Sequence, residues 1–306
     1  MPEKQFPGKW LDCQSLKYSA LIAPVVSTAH LTMSTRFTDL IDWQQPWLTP
    51  LLPLADIATK ATDWMRTFNE AAALLNVRNH QGLPIKLVPQ ANLPPECAYE
   101  TFISDTGSVP TRQNLHDFLN ALVWLSYPRV KARLNELQAA EILKASVGMP
   151  NERQGVNHAR GKVRDAATIF DENAAIVIVT DASQMEALHE HRWHQVFIQN
   201  RLTFGRTWDV NLFGHALMEK LVMPYKAITA HAFIVQVEEH FFSLSQKQRM
   251  HLLDQQIAQN LSENLSTADF TPLPVLGLPE WWPDQSEEFY NDAAVFRPKR
   301  KLHRPN

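Results

Sequence analysis

Histidines and carboxylates recur in this chain at helix starts and at helix spacing, a pattern that serves both acid–base catalysis and metal ligation. The densest case is residues 105–127, DTGSVPTRQNLHDFLNALVWLSY. Asn114 can cap a helix there, because its side-chain oxygen accepts from the free amides of the first turn. Asp117 falls at the third helical position, where a carboxylate can reach back as in a capping box and faces the positive helix end. His116 and Asn120 are four apart and share a face. One reading has Asp117 capping while His116 and Asn120 bond to backbone. The other makes His116 and Asp117 an acid–base pair at a helix N-terminus, where a neutral His and an anionic ligand are both favoured.

Residues 164–173, RDAATIFDEN, concentrate Arg164, Asp165, Asp171 and Glu172 just before an apolar run. They read as a short helix ending in a turn, with Asn173 suited to a left-handed cap. The charges serve as an ion pair plus turn acids, or as a site with Asp171 or Glu172 as base and Arg164 steadying an anionic substrate. His215 and Glu219 are four apart in GHALMEK, so they could ligate one ion or bond to each other. His231 sits among Ala, Phe, Ile and Val, and an enclosed imidazole must find a partner for its N–H. His189, His191 and His194 lie among Glu190, Arg192 and Gln195 and read as a wet helix face.

Two or three histidines with carboxylates suit Zn, Mn or Fe as a divalent ion. The working reading is a metal-dependent hydrolase of a phosphoester or amide. His116, His215, Glu219 and His231 are its candidate ligands, and His116, Asp117, Arg164, Asp171 and Glu172 its candidate catalytic groups. A metal-free His116–Asp117 enzyme and a non-catalytic binding or structural protein with a buried polar network stay open. No H-E-x-x-H signature, Gly-rich phosphate loop, nucleophile elbow or Cys nucleophile narrows the choice. Convergence of His116, His215 and His231 on one cavity would favour metal, and saturation of every polar group would favour the structural reading.

The elements that must position these groups follow from apolar spacing and turn residues. Residues 54–75 carry apolar positions at helical intervals and read as one long amphipathic helix. Residues 85–88 and 99–104 read as strands that deliver the chain to the central helix. Residues 130–145 resume as a helix, with Arg129, Lys131 and Arg133 as a solvated basic cluster. Residues 146–162 have loop composition, with Asn157, His158 and Arg160 among them. Residues 176–179, all β-branched, predict a strand buried on both faces. Residues 183–200, 211–222 and 244–261 read as helices, and 227–238 as the longest strand. From Phe270 the chain is rich in Pro and aromatics and reads as an extended strap, with a basic, frayed tail over 299–306. Residues 1–34 show no period and read as a loosely ordered extension, with Met33 a candidate start.

Together these give a single α+β domain over residues 35–298: helix-rich, with a small mixed sheet of about four strands and the C-terminal strap. The 306 residues, 45% hydrophobic, suffice for a sizeable core. The net charge of −3 gives no push toward nucleic acid or membrane. Cys13 and Cys97 alone cannot make a disulfide framework or a Cys-rich zinc site. No apolar run reaches the roughly 20 residues that span a bilayer. Residues 19–29 only faintly resemble a signal core and are interrupted by Pro24. The expected setting is the cytoplasm, with a small molecule as partner.

The blocks NLHDFLNALVW, RDAATIFDEN, FGHALMEKL followed by PYKAITAHA, and the closing LPVLG, WWP, FY and VFRP resemble a proteobacterial family, domain of unknown function 3025. The resemblance covers residues 36–298. It implies neither an activity nor catalytic residues. It does lead one to expect Gly after the DEN turn, where Ala174 stands.

Overall fold

The computed structural model describes residues 36–147 and 161–299. Residues 1–34, the stretch 157–160 and the basic tail beyond Lys299 lie outside the described residues. The fold is α+β and helix-rich. Strands β1 (Lys86–Pro89) and β2 (Ser108–Thr111) pair in parallel as a small separate sheet. The main sheet is mixed and four-stranded, in the order β4 (Trp208–Leu212), β3 (Ala174–Val179), β5 (Thr229–Gln236), β6 (Thr271–Pro274). β3 runs parallel to β5 and antiparallel to β4. All six residues of its AAIVIV run are buried, including the β-branched residues 176–179 read as a strand covered on both faces.

Ten helices surround these sheets among the described residues: α1 (Leu52–Lys60), α2 (Trp64–Leu74), α3 (Tyr99–Thr106), α4 (Leu115–Ser126), α5 (Pro128–Val147), α6 (Lys162–Asn173), α7 (Ala182–His189), α8 (His215–Lys220), α9 (Gln246–Asn260) and α10 (Glu287–Tyr290). α5 is the central post and packs against α3, α4, α6 and α9. Phe170 of α6 is fully buried in an aromatic cluster with Phe213, Phe233 and Phe270, at centroid distances of 4.9, 5.0 and 5.9 Å. No helix of the described residues is long and apolar enough to cross a membrane.

Several elements differ from the expectation, each for a local reason. Residues 99–104 are helix α3, not a strand. Their Tyr, Thr, Phe and Ile favour strands only weakly, and Gly107 at φ 68° closes the helix from the left-handed position. The long helix over 54–75 is two helices. Asp63 accepts from the Arg66 amide at 3.1 Å and starts α2 afresh. The helix expected over 211–222 is the end of β4 followed by the shorter α8. The helix expected over 183–200 is interrupted after α7, because His191 takes φ 51°, and resumes as a π-helical turn over Gln195–Gln199. Asn173 is not a left-handed cap. α6 runs straight into β3 through Ala174 at φ −81°, ψ 144°, so no glycine is required there. The start of the C-terminal strap forms β6 against β5. Lys131, expected in a solvated basic cluster, is buried.

Candidate metal centre

α4, α6 and α8 meet at the amino end of β3. Asn114 fixes the start of α4 by accepting from the Asp117 amide at 2.8 Å, which aims His116 out of the first turn. Glu172 is in the last turn of α6. His215 opens α8 directly after Gly214. The Phe213 and Gly214 amides both donate to the Ala174 carbonyl, at 3.1 and 2.9 Å, so α8 starts hard against the α6–β3 junction. Only glycine fits there. A Cβ on residue 214 would lie 2.5 Å from the Asn173 nitrogen and 2.6 Å from the Ala174 nitrogen.

These constraints bring three donor atoms together. His116 Nε2 and His215 Nε2 are 3.1 Å apart. Glu172 Oε2 is 3.4 Å from His215 Nε2 and 4.0 Å from His116 Nε2. Tetrahedral zinc with N and O ligands at about 2.0–2.1 Å separates its donors by about 3.3 Å. The triangle is therefore of the right size for one ion, and His116, Glu172 and His215 form a group that could hold a metal. His215 is almost fully buried, whereas His116 and Glu172 are 29% and 40% exposed, so the group is closed behind and open in front.

The outer nitrogen of His116 is placed as that of a metal-binding histidine is. His116 Nδ1 lies 2.9 Å from Glu219 Oε2 and donates to it. His215 Nδ1 is buried and has no hydrogen-bond partner among the described residues. Two proton placements follow. If His215 carries its proton on Nε2, that nitrogen donates to His116 and Nδ1 is left a buried acceptor without a donor. If the proton is on Nδ1, the Nε2 lone pair is free. Both Nε2 lone pairs and the Glu172 carboxylate then converge with nothing between them, which a cation resolves.

Burial lowers the His215 imidazole to about 4, against the pull of the Asp171 carboxylate, so the neutral ligand form is favoured. Burial, then the neighbouring Asp171 charge, raises the Glu172 carboxyl. For Asp171 burial also acts upward, but the Lys131 charge and hydrogen bond outweigh it and the carboxyl sits below its usual range.

The other candidates lie around this group or away from it. Asp171 pairs with Lys131 Nζ at 2.5 Å and stands beside the centre, not in it. Glu219 shares a helix face with His215 as its spacing implied, but it holds His116 instead of joining the triangle. Asp117 turns away. It accepts from the Arg112 amide at 2.6 Å and from the Arg112 guanidinium at 2.9 and 3.1 Å, so it is no acid–base partner of His116 in this structure. Arg164 lies two helical turns before Asp171 and has no ion-pair partner among the described residues. Asp165 sits in the first turn of α6. His231 is not in the group: its Nδ1 meets the Asn173 amide at 2.9 Å. His189 bonds to Thr271 Oγ1 at 2.8 Å and His191 to the Arg297 carbonyl at 3.2 Å.

Lys131 is the functional neighbour that sequence reasoning missed. Its ammonium bonds Asn120 Oδ1 at 2.8 Å as well as Asp171, and it is 4% exposed. A signal existed. Lys131, Asn135 and Gln138 stand at i, i+4 and i+7 among Val130, Leu134 and Leu137, a polar stripe on an apolar helix face.

Residues 85–300 match the family model described as protein of unknown function, DUF3025. The chain belongs to the DUF3025 family. His116, Glu172, His215, Glu219 and Lys131 all fall within the matched span of this DUF3025 chain. No curated protein and no solved structure matches it.

Proposed function

We propose that this DUF3025 chain holds one divalent transition-metal ion, zinc in the first instance, on His116, His215 and Glu172, and that it is a metal-dependent hydrolase. The observation that carries the reading is the pair of Nε2 atoms at 3.1 Å facing the Glu172 carboxylate. Two His and one Glu with an open side are the donor set of catalytic zinc sites and of mononuclear iron and manganese sites. When bound, such an ion polarises a substrate carbonyl and acidifies a water beside it.

The chain's own residues do the rest. Glu219 holds the His116 ring through Nδ1. Lys131 neutralises Asp171, so the buried carboxylate does not compete for the ion. The charges of Glu172 and Glu219 balance a divalent cation. Among the described residues Arg112 is committed to Asp117 and Lys131 to Asp171, so neither is free to steady a phosphoester. An amide or neutral ester is the better fit.

A second reading rests on the same pair. The His116–His215 hydrogen bond can close without an ion, as part of a structural network. A hydrolysis screen of amides, esters and phosphoesters with the purified full-length chain separates the readings. Turnover of an amide or ester that is lost on chelation, restored by zinc and lost in Glu172→Gln supports the hydrolase. No turnover in any class with stoichiometric metal bound would reduce the centre to a structural site.

A further inference from the structure

A separate cavity, mainly apolar with a few polar groups, lies at the far end of β3. Its volume is about 240 Å³. The carboxyl half of β3 and the edge strand β4 form the floor, where Ile178 pairs with Asp209 and Ile176 with Asn211. Phe204, Phe241 and Trp281 contribute aromatic walls, and Arg249 of α9 comes in from the side. Ile178 is four residues along β3 from Ala174, roughly 13 Å at the usual strand rise, and Glu172 lies beyond that end in α6. The cavity is therefore separate from the metal centre.

Asp209 and Asn211 are two apart on one strand face, in a sheet whose other strands present Ile, Phe and Val there. Polar groups half-enclosed in such a place need partners. Asn211 has them: its amide donates toward Tyr127 Oη at 3.2 Å and Met250 Sδ at 3.5 Å. Asp209 has only half its capacity filled. Oδ1 accepts from the Val210 amide at 2.8 Å, while Oδ2 stands 3.8 Å from Arg249, beyond hydrogen-bonding distance. Burial raises the Asp209 carboxyl despite the nearby guanidinium. The Arg249 side chain makes no hydrogen bond among the described residues. A carboxylate oxygen and a guanidinium thus face one cavity side by side, close enough to attract and too far apart to satisfy each other.

We propose that this cavity binds a planar heterocycle with a lactam edge, an N–H adjacent to a C=O, as in a hydroxypurine, a pyrimidine-dione or a pterin. The N–H donates to Asp209 Oδ2, the carbonyl accepts from Arg249, and the ring lies against the aromatic walls. The paired donor and acceptor match the two unfilled groups, and the aromatic lining matches a flat ring. The volume sits just below the range of about 300–1,000 Å³ for drug-sized pockets, which selects one small ring system.

The test uses the full-length protein and a panel of inosine, uridine and lumazine. Binding is read by tryptophan fluorescence, to which Trp281 in the wall contributes, and by calorimetry. At least one of the three is expected to bind, with at least tenfold weaker binding in Arg249→Gln and in Asp209→Asn and unchanged metal content in both. The N-methylated form of the binder, for example 1-methylinosine, should bind at least tenfold more weakly, because it keeps the ring and loses the donor. Circular dichroism and melting establish that the variants are folded, and Arg249→Gln, nearer the surface, serves if Asp209→Asn is not. The proposal is overturned by no binding of any of the three at millimolar concentration, or by binding that Arg249→Gln and N-methylation leave unchanged.

Discussion

His116 Nε2 and His215 Nε2 face each other at 3.1 Å across the junction of α4 and α8, and Glu172 Oε2 completes the triangle. The residues come from three helices and are far apart in sequence. They meet because an Asn cap fixes the first helix, β3 fixes the end of the second, and a glycine admits the third.

Glu219 acts on the centre through His116 and is not a ligand. Glu219→Gln is expected to weaken metal affinity roughly tenfold to a hundredfold, as loss of an outer carboxylate partner does. Competition with a fluorescent chelator measures this. Stoichiometric binding should survive at saturating metal, whereas Glu172→Gln, which removes a ligand charge, should lose much more.

Gly214→Ala tests the close approach of α8. The added Cβ meets backbone at 2.5 Å, not a side-chain tip that could swing away. A destabilisation of about 1–3 kcal/mol is expected from overpacking, along with weakened metal binding as His215 shifts from Glu172. Chemical denaturation and metal titration check the two effects. Unchanged values for both would show that the junction is looser than described.

Lys131 and Asp171 are a buried pair, and removing one side leaves the other charged and unpaired. Lys131→Met is expected to cost about 3–5 kcal/mol. The double variant Lys131→Met with Asp171→Asn should recover part of that loss. Urea unfolding of the four proteins in a double-mutant cycle gives the coupling.

Glu100 gives the stability a dependence on pH. Burial raises its carboxyl from 4.5 to about 7, with Asp171 adding to the effect and the Asn135 hydrogen bond opposing it. The folded state therefore binds the Glu100 proton more tightly than the unfolded state does. Its contribution is fully present below pH 4.5 and is lost as pH rises through about 7. Glu100→Gln should be nearly neutral at pH 4 and stabilising at pH 8 relative to the parent, by roughly 1–3 kcal/mol. Melting curves at the two pH values read the difference directly.

Much of the centre was legible where local rules act alone. Asn114 followed by His116 announces a helix start with an exposed imidazole, the AAIVIV run announces a buried strand, and His215 with Glu219 announces a shared face. What local rules could not supply was which faces meet. Spacing alone lets Asp117 reach for the cap, but Arg112 takes it. His231 and Asn173 neighbour each other only because β5 pairs with β3 in the register Ala174 to His231. Helix α3 was missed because its Tyr, Phe and Ile favour strands weakly, while packing against α5 and the Gly107 cap decide the outcome. Lys131 reads as solvated because it stands in a basic cluster with Arg129 and Arg133, and its buried partner is forty residues away.

The most direct test is elemental analysis of the purified, tag-free protein beside a His215→Ala control. One zinc, manganese or iron per chain in the parent, falling to background in the control while circular dichroism shows the control folded, is the expected result. No metal in the parent, with melting unchanged by added zinc or by chelator, would contradict the metal centre and leave His116, His215 and Glu172 as a hydrogen-bonded network.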